Sequence, residues 1–326
     1  MHVKKMKRFM FSIALIGASL AALAQDKNEP HLFNHLDLGV TLGTTGIGID
    51  AAMPVHDIVK LRAGFEVMPR FNYDMHFDVE SFDDKGMPTT STIDRMSEVL
   101  YSLTGFKTDQ NVTMKGKPTM WNFKLMVDVY PFKNKHWHVT AGFHWGPSKI
   151  AEAENAIEDS PSLFAVGMYN HLYDVAYKDW ILDIPTPLIT TETTGELYID
   201  PKIEKQIIAM GRMGIPVGKY AGTDNTYYME PNEHSMVYAN AYVNSFKPYL
   251  GFGYEGRLIK NNDTYKIGFD AGMMFWGGTP SIITHDGTNL SKDVEDINGK
   301  VGSYVDLVKG FKVFPVLNLR ITRTIF

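Results

Sequence analysis

Apolar and polar residues alternate with a period of two in eight segments of the chain. A period of two is the side-chain repeat of a β-strand, so each segment predicts a strand with one apolar and one polar face. The predicted strands are residues 36–53, 59–80, 121–130, 137–145, 237–244, 250–258, 265–275 and 317–325. In the first strand the alternation slips by one residue at Gly43–Gly46, which predicts a β-bulge.

The alternation alone fits a soluble β-sandwich or lipocalin-like barrel, with the apolar face inward, as well as a membrane barrel. Two features favour the membrane barrel. The strands are about 10 residues or longer, enough to cross a bilayer when tilted. The polar faces are rich in glycine and charge, which suits a narrow barrel interior. We predict an all-β fold: a transmembrane antiparallel up-and-down β-barrel of about eight strands, with ten possible if loop hairpins contribute.

The connections between the strands differ in length. Short ones follow the first, third and fifth strands, whereas residues 81–117 and 150–234 form two long ones. Outer-membrane barrels have short periplasmic turns and long outer loops, so both long connections are predicted to be extracellular. Residues 278–311 are then predicted as a long periplasmic segment, and Lys260–Asp263 as a short outer turn. Both chain ends are expected in the periplasm.

Each long loop carries a sequence typical of a short amphipathic helix. One is Thr92–Gly105, and the other follows Asp200–Pro201 and runs over residues 202–214. The second loop is also rich in aromatic residues, which suit either exposed ligand binding or a packed lid over the barrel. They are Tyr169, His171, Tyr173, Tyr177, Trp180, Tyr198, Tyr220, Tyr227 and Tyr228.

The first 24 residues predict a secretory signal peptide. Basic Met1–Arg8 precedes an apolar stretch of about 15 residues, shorter than the ~20 residues that a membrane-spanning helix needs. Ala22-Leu23-Ala24 has the small-x-small form of a cleavage site. Residues 25–326 are therefore expected to be the barrel domain.

Composition excludes several classes of protein. The chain has no cysteine, so a disulfide framework and a lipoprotein anchor are excluded. Its net charge is −5 and no basic block follows the leader, so nucleic acid is not expected as a partner. Aromatic residues make up 12%, as in chains with aromatic girdles at the membrane interfaces.

Several segments carry a family resemblance. Lys247–Gly256, Tyr265–Gly277 and Gly310–Phe326 resemble the last three strands of small eight-stranded outer-membrane barrels of Gram-negative bacteria, and Leu125–Phe132 with His138–Trp145 resembles their central hairpin. That group is mostly uncharacterised, includes some proposed slow porins, and is distantly similar in architecture to OmpA- and OmpX-type barrels. The leader looks Bacteroidetes-like. The resemblance implies an integral protein of the Gram-negative outer membrane, with outer-membrane lipids and the insertion machinery as partners.

The C-terminal strand resembles the signal that the outer-membrane insertion machinery reads. Its candidate residues are Ile321, Ile325 and Phe326. In the usual form the terminal aromatic residue lies in register with the apolar face. Here Phe326 falls on the opposite parity, and Arg323 shares the face of the two isoleucines.

Charged residues on the inward parity predict a paired network inside the barrel, because unpaired charges there would cost several kcal/mol each. Two interpretations remain open, a polar plug that fills the barrel and a charged, gated pore for small solutes. The candidate residues are Asp50, Lys60, Arg62, Glu66, Lys124, Asp128, Glu255, Arg257, Lys266, Asp270 and Arg320.

The candidates for catalysis or metal binding are His76, His136, His138 and His144, together with their acidic and serine neighbours. His138 and His144 would face inward about 20 Å apart along one strand, too far to share a metal, and His136 lies near a turn. The pairs His76 with Asp74 or Asp78, and His144 with Ser148, have generic spacing.

We therefore predict that the protein is not an enzyme and that it has no cofactor site and no metal site. The expected function is a structural or surface-interaction role through the long extracellular loops, with an unknown surface ligand and a monomeric chain. A narrow porin for small solutes is the alternative, and an outer-membrane hydrolase is less favoured.

Overall fold

The computed structural model describes residues 35–83, 101, 105, 111–182, 187, 189–191, 195–198, 200–260, 262–297 and 299–325. The predicted signal peptide, most of the predicted helix at 92–105 and Phe326 lie outside these residues. None of the described helices combines the length and apolarity that a membrane span requires.

The described elements are mostly strands. In chain order they are β1 (Asp37–Gly43), β2 (Gly46–His56), β3 (Val59–Val67), β4 (Tyr73–Asp78), β5 (Glu80–Phe82), β6 (Asn111–Pro118), β7 (Trp121–Val129), β8 (Trp137–Trp145), β9 (Lys149–Asn155), β10 (Ile189–Thr191), β11 (Gly195–Leu197), β12 (Arg212–Tyr220), β13 (Thr226–Met229), β14 (Tyr238–Tyr242), β15 (Phe246–Ile259), β16 (Asn262–Met274), β17 (Ser281–Thr284), β18 (Val294–Glu295) and β19 (Phe314–Thr324). The helices are α1 (Ser160–Leu182), α2 (Pro201–Met210) and α3 (Gly299–Gly310), and a 3-10 turn, Ile157–Asp159, precedes α1.

Eight of the described strands close into a barrel in the order β1–β19–β16–β15–β8–β7–β3–β2. Every neighbouring pair is antiparallel, and the seam between the first and last strands pairs Asp37 with Thr324. The strands follow one another around the barrel in chain order. The predicted all-β, antiparallel up-and-down barrel of about eight strands, with short helices in its connections, is confirmed.

The first predicted strand is two strands. Residues 36–53 contain most of β1 and β2, which are joined by the two-residue turn Thr44–Thr45 and not by a bulge. Gly46 has φ +107°, a conformation that L side chains rarely adopt, and a Cβ there would collide with the Val67 carbonyl oxygen. The slip in parity therefore marks a tight hairpin turn. The sequence did not predict this turn because it lacks the Asn-Gly pair that is typical of two-residue hairpins.

Two other predicted strands differ from the structure: one lies outside the barrel wall, and only the first half of the other lies in it. Residues 237–244 contain β14, which pairs with β9 and β17 outside the barrel. The predicted long strand 59–80 breaks after Val67, and its second half is mainly β4, which pairs with β6. Because the first hairpin adds a barrel strand and β14 leaves the barrel, the total of eight is unchanged.

Short connections lie mainly at one end of the barrel and long connections at the other. The terminal end carries the start of β1, the end of β19 and the short connections from β2 to β3, from β7 to β8 and from β15 to β16. The head end carries the turn 44–45 and the long connections 68–120, 146–245 and 275–313. Residues 278–311 thus leave the barrel at the same end as 81–117 and 150–234, contrary to expectation, and the Lys260–Asp263 turn lies at the other end.

The barrel wall is inverted relative to a soluble barrel. Its apolar parity faces outward, with Val40 57%, Ile49 64% and Leu250 55% exposed, while the acids and bases of the opposite parity are buried inside. Aromatic residues lie near both ends of this apolar band. Trp121 lies between Phe65 and Trp145 at the head end, with ring centroids 5.7 and 6.5 Å away. At the terminal end the Trp137 and Tyr254 rings are 5.2 Å apart.

Five barrel strands continue past the head end as a second sheet. Its order, β17–β14–β9–β6–β4, repeats the order of the barrel strands to which these segments are joined, β16–β15–β8–β7–β3. We call the described parts of residues 73–118, 149–242 and 281–310 the head. In the head, α1 packs against α2 and β12, and α3 packs against β4. The head is therefore a folded extension of the barrel wall.

The head has its own hydrophobic core, built from its sheets and α1. Buried members are Phe77, Val112, Met114, Leu163, Val166, Tyr169, Tyr173, Met213, Ile215, Tyr227 and Ile282. The predicted helix at 202–214 is α2, where the Lys202 backbone N–H donates to the Asp200 carboxylate over 2.7 Å. It ends at Met210 because Arg212 begins β12.

Candidate functional site

Ion pairs run through the barrel interior, beginning at the terminal end. The Asp37 carboxylate accepts hydrogen bonds from the ammonium groups of Lys60 and Lys266, both over 3.3 Å. Lys60 also donates to Glu255 over 2.9 Å. The second oxygen of Glu255 accepts from Arg320 over 3.4 Å. These side chains come from strands on different sides of the barrel, and they meet in its interior because they share the inward parity.

The centre of the interior is organised by one guanidinium group. Arg62 donates to Asp128 over 2.9 Å and to Asp270 over 3.0 Å, and lies 4.0 Å from Asp50. Arg320 lies 3.8 Å from Asp270, which joins the centre to the terminal end. Arg62 is 4% exposed, so its charge depends on these carboxylates for compensation.

Towards the head end the network continues through one lysine and one glutamate. The Lys124 ammonium group lies 2.9 Å from Asp50 and 3.4 Å from Glu66. Glu66 lies 2.9 Å from the His144 ring and accepts hydrogen bonds from Thr45 (2.9 Å) and Asn122 (3.3 Å). All of these side chains are buried.

Ten of the eleven predicted interior residues thus lie together: Asp50, Lys60, Arg62, Glu66, Lys124, Asp128, Glu255, Lys266, Asp270 and Arg320. Arg257 does not belong to this network. It pairs with Asp263 across the β15–β16 turn, and both side chains are mostly exposed. Arg257 has inward parity, but it follows Glu255 towards the terminal end, where the wall passes into solvent.

Several members of the network were not predicted. Asp37 is the first residue of β1, His138 Nε2 lies 2.9 Å from Asp270, and buried Lys247 donates to Asn122 over 3.2 Å. His138 and His144 contact different carboxylates. Parity placed His138 and His144 on the inward face from the sequence, and strict use of parity would have added Asp37 and Lys247 to the predicted network. Among the described residues no cluster of His, Asp and Glu is arranged to hold a metal ion.

An apolar layer lies over the charged network at the head end of the barrel. Its buried members are Met120, Met126, Tyr249, Met274, Trp276 and Val316. The Trp276 indole N–H donates to the Phe311 carbonyl over 2.6 Å. Gly251 and Gly272 leave room for the Tyr249 ring, because a Cβ at either position would collide with its hydroxyl. Buried side chains therefore occupy the interior from the terminal end to the head end, as expected for eight strands.

The predicted insertion residues lie on the outer face of β19 and just beyond its end. Ile321 and Ile325 are exposed there, whereas Phe326 lies outside the described residues. Arg323 shares their parity, and its guanidinium carbon lies 5.9 Å from the centroid of the Tyr265 ring. A cation–π contact thus accommodates the one charge on this apolar face.

The candidate catalytic histidines lie in two different environments. Buried His144 faces Glu66 inside the barrel. His76 lies on the exposed face of β4 with Asp74 and Asp78, and its Nδ1 is 3.1 Å from the Thr113 hydroxyl. The structure brings neither histidine into a described contact with its proposed partner.

The aromatic residues of the long loop divide between the core and the surface of the head. Tyr169, Tyr173, Tyr227 and Tyr228 are buried, and burial raises the pKa of the Tyr169 hydroxyl. Trp180, Tyr198 and Tyr220 are exposed. The buried tyrosines thus pack within the head, and the exposed residues keep ligand binding as a prediction.

Comparisons with known proteins give only weak structural likenesses. No family model and no curated protein matches the chain. Two solved structures, CarO2 and CarO of Acinetobacter baumannii, have TM-scores of 0.37 and 0.36 and identities of 11% and 12%. They cover 89% and 91% of this chain, and 98% and 99% of their own. A major outer membrane protein of Thermus thermophilus has a TM-score of 0.27 and 11% identity, covering 89% of this chain and 98% of its own. Likenesses at this level carry no inference about function.

Proposed function

We propose that this chain is an integral protein of a Gram-negative outer membrane, in which the barrel is an anchor and the head is a surface-interaction module. The closed barrel satisfies backbone hydrogen bonding without a free edge, which a lipid environment requires. Its outer face carries an apolar band between two sets of aromatic residues, as membrane barrels do. The signal peptide predicted for residues 1–24 agrees with export.

The head faces outward in this proposal. Membrane barrels keep short turns and chain ends on the periplasmic side and long connections outside, and the two barrel ends differ in this way. The observation that carries the interaction role is the second sheet. Five wall strands extend into a head with a buried core, so its exposed residues are displayed on a folded support.

We propose that the barrel interior is plugged by its own side chains and does not form a pore. Its charges are paired from Asp37 to Glu66, and breaking a buried pair costs about 3–5 kcal/mol. The apolar layer around Met274 adds a second obstacle to ions. Opening a path would disrupt both. The narrow porin remains the competing function, and conductance distinguishes the two.

The proposal includes no catalytic activity, cofactor or nucleic-acid partner. The expected partners are the surrounding outer-membrane lipids, the insertion machinery that installs the barrel, and a ligand at the head surface. The chain is proposed to act as a monomer. Any hydrolase activity of purified protein that is lost in His144→Ala or His76→Ala would contradict this part.

Because the chain has no cysteine, single engineered cysteines test the topology directly. His171→Cys lies on the exposed face of α1 in the head, and Lys133→Cys lies in a terminal-end turn. We expect a membrane-impermeant maleimide to label His171→Cys in intact cells and Lys133→Cys only after lysis. The reverse pattern would overturn the orientation, and recovery of the chain as a soluble periplasmic protein would overturn the membrane location.

The second test is conductance in planar lipid bilayers. Purified protein, shown to be folded by its altered gel mobility before and after heating, is expected to give no single-channel steps at any voltage. Regular steps from the wild-type protein would replace the anchor proposal with the porin.

A further inference from the structure

A groove of about 670 Å³ opens in the head. It lies between the end of β12, the segment after β13 and the turn after β17. Its lining residues include two tyrosines, Tyr220 and Tyr228, and three acids, Glu230, Glu233 and Asp286. Among the described lining residues there is no lysine or arginine, and the other polar ones are an asparagine and two histidines.

The Asp286 carboxylate is fixed in place as an anion. It accepts hydrogen bonds from the Tyr227 hydroxyl (2.8 Å), the Thr284 hydroxyl (2.6 Å) and the Thr288 backbone N–H (2.9 Å). Burial alone would raise the pKa of Asp286, but these hydrogen bonds hold it below its usual value. The group is therefore charged and oriented at neutral pH.

The Glu230 carboxylate is paired with Arg212. It accepts two hydrogen bonds from the Arg212 guanidinium group, from Nε over 2.9 Å and from Nη2 over 2.5 Å, and a third from the Asn170 amide over 3.0 Å. The same Arg212 also pairs with Asp174, so one guanidinium group serves two carboxylates. Glu233 is exposed in the segment that follows, so the groove keeps a net negative charge.

The two tyrosine rings form rigid walls. The Tyr228 ring stacks on Phe82 with centroids 3.8 Å apart and planes 7° apart, and the Tyr220 ring meets the edge of Tyr227 at 5.4 Å. Tyr228 is only 7% exposed. Burial, and then the carboxylates of Asp286 and Glu230, raise the pKa of Tyr220. The field of both carboxylates thus reaches this ring.

We propose that the groove binds an alkylammonium group carried on a flexible chain. The carboxylates would attract the ammonium charge, and an electron-rich tyrosine face stabilises a cation within about 6 Å of its centroid. The methylene stem would lie along the rings. An anionic ligand would be repelled by the same groups. A polyamine and a lysine side chain of a peptide share this chemistry, and the experiment separates them.

This inference names the ligand class of the proposed surface module, so it rests on that proposed function. Its test uses purified full-length protein in lipid nanodiscs and therefore does not depend on the orientation in cells. Calorimetric titration with spermine and with tri-lysine is expected to show saturable binding of at least one probe. Tighter binding of spermine would indicate a polyamine, and tighter binding of tri-lysine a peptide. No binding of either would overturn the inference while leaving the cysteine-labelling result intact.

Variants separate the groove from general surface charge. Glu233→Gln is expected to weaken binding about three- to fivefold, the scale of an exposed ion pair. Asp224→Asn removes the same charge from a fully exposed neighbouring carboxylate outside the groove and is expected to change affinity less than about twofold. Tyr220→Leu is expected to weaken binding about two- to fivefold, whereas Tyr220→Phe keeps the ring and the affinity. Equal losses in Glu233→Gln and Asp224→Asn, or preferential binding of neutral maltotriose, would overturn the proposal.

Discussion

The Asp37 carboxylate at the start of the first barrel strand accepts a hydrogen bond from the Thr324 hydroxyl at the end of the last, over 2.6 Å. The two residues are also paired in the ladder between β1 and β19. The seam that closes the barrel is therefore secured by backbone and side chains together. Lys60 and Lys266 lie on the same carboxylate.

Neutralising Asp37 is expected to weaken this seam. Asp37→Asn leaves Lys60 and Lys266 without one of their anions in a buried site, and we expect a loss of about 3 kcal/mol in the free energy of unfolding. Urea titration in lipid vesicles, followed by gel mobility, measures it. Asp57→Asn in an exposed turn is the control. Equal stability of the two variants would show that the seam does not depend on this charge.

Arg62 is expected to be the most sensitive residue of the interior. Arg62→Met leaves three buried aspartates without their shared cation, which predicts a loss of about 3–5 kcal/mol or a failure to insert. Arg257→Met, at an exposed arginine with the same inward parity, is expected to stay within about 0.5 kcal/mol of wild type. The measurements are the yield of folded protein and its urea midpoint. Similar effects of both substitutions would argue against a central role for Arg62.

The outward parity of the wall makes a separate prediction. Ile49 lies at the middle of the apolar band, paired with Val40, so Ile49→Arg is expected to cost about 2–4 kcal/mol of folding free energy in a bilayer. Ile157, 86% exposed in the head, receives the same substitution as a control and is expected to tolerate it. Vesicle refolding yields compare the two. Tolerance at Ile49 would mean that this face does not meet lipid.

The stability of the head is expected to fall in acid. The folded pKa of Asp286 lies below its usual value of about 3.9, so its stabilising contribution is present above that value. The contribution is lost as pH falls from there through the lower folded pKa, since the unfolded chain then binds more protons. Thermal unfolding of the head, followed by near-ultraviolet circular dichroism between pH 6 and about 2.5, measures the slope. Asp286→Asn should flatten it, whereas Asp224→Asn should not.

Strands with strict alternation were predicted closely. The predicted strands 121–130 and 137–145 are β7 and β8 almost to the residue, because one face meets apolar surroundings and the other a charged interior. The prediction of a barrel strand at residues 237–244 was wrong. The alternation there arises because β14 packs one face on the core of the head. Periodicity reports that the two faces differ and does not report whether the apolar one meets lipid or protein.

Other features depended on information that is not local in the sequence. The 23-residue helix α1 was not predicted, because its own apolar residues are spread around the helix and give no clear amphipathic pattern. Several of them pack in the core of the head. The interior network followed from parity, but the pairing of Arg257 with Asp263 reflects where the wall ends. The groove combines β12 with segments around residues 230 and 286, which are distant in the chain.

Five short connections, each two to six residues long, join strands of the barrel to strands of the head. The head is thus tethered at five places, so a molecule captured there would be held close to the head end of the barrel. A force applied to that molecule would pass down the strands and be resisted by the ion pairs around Arg62.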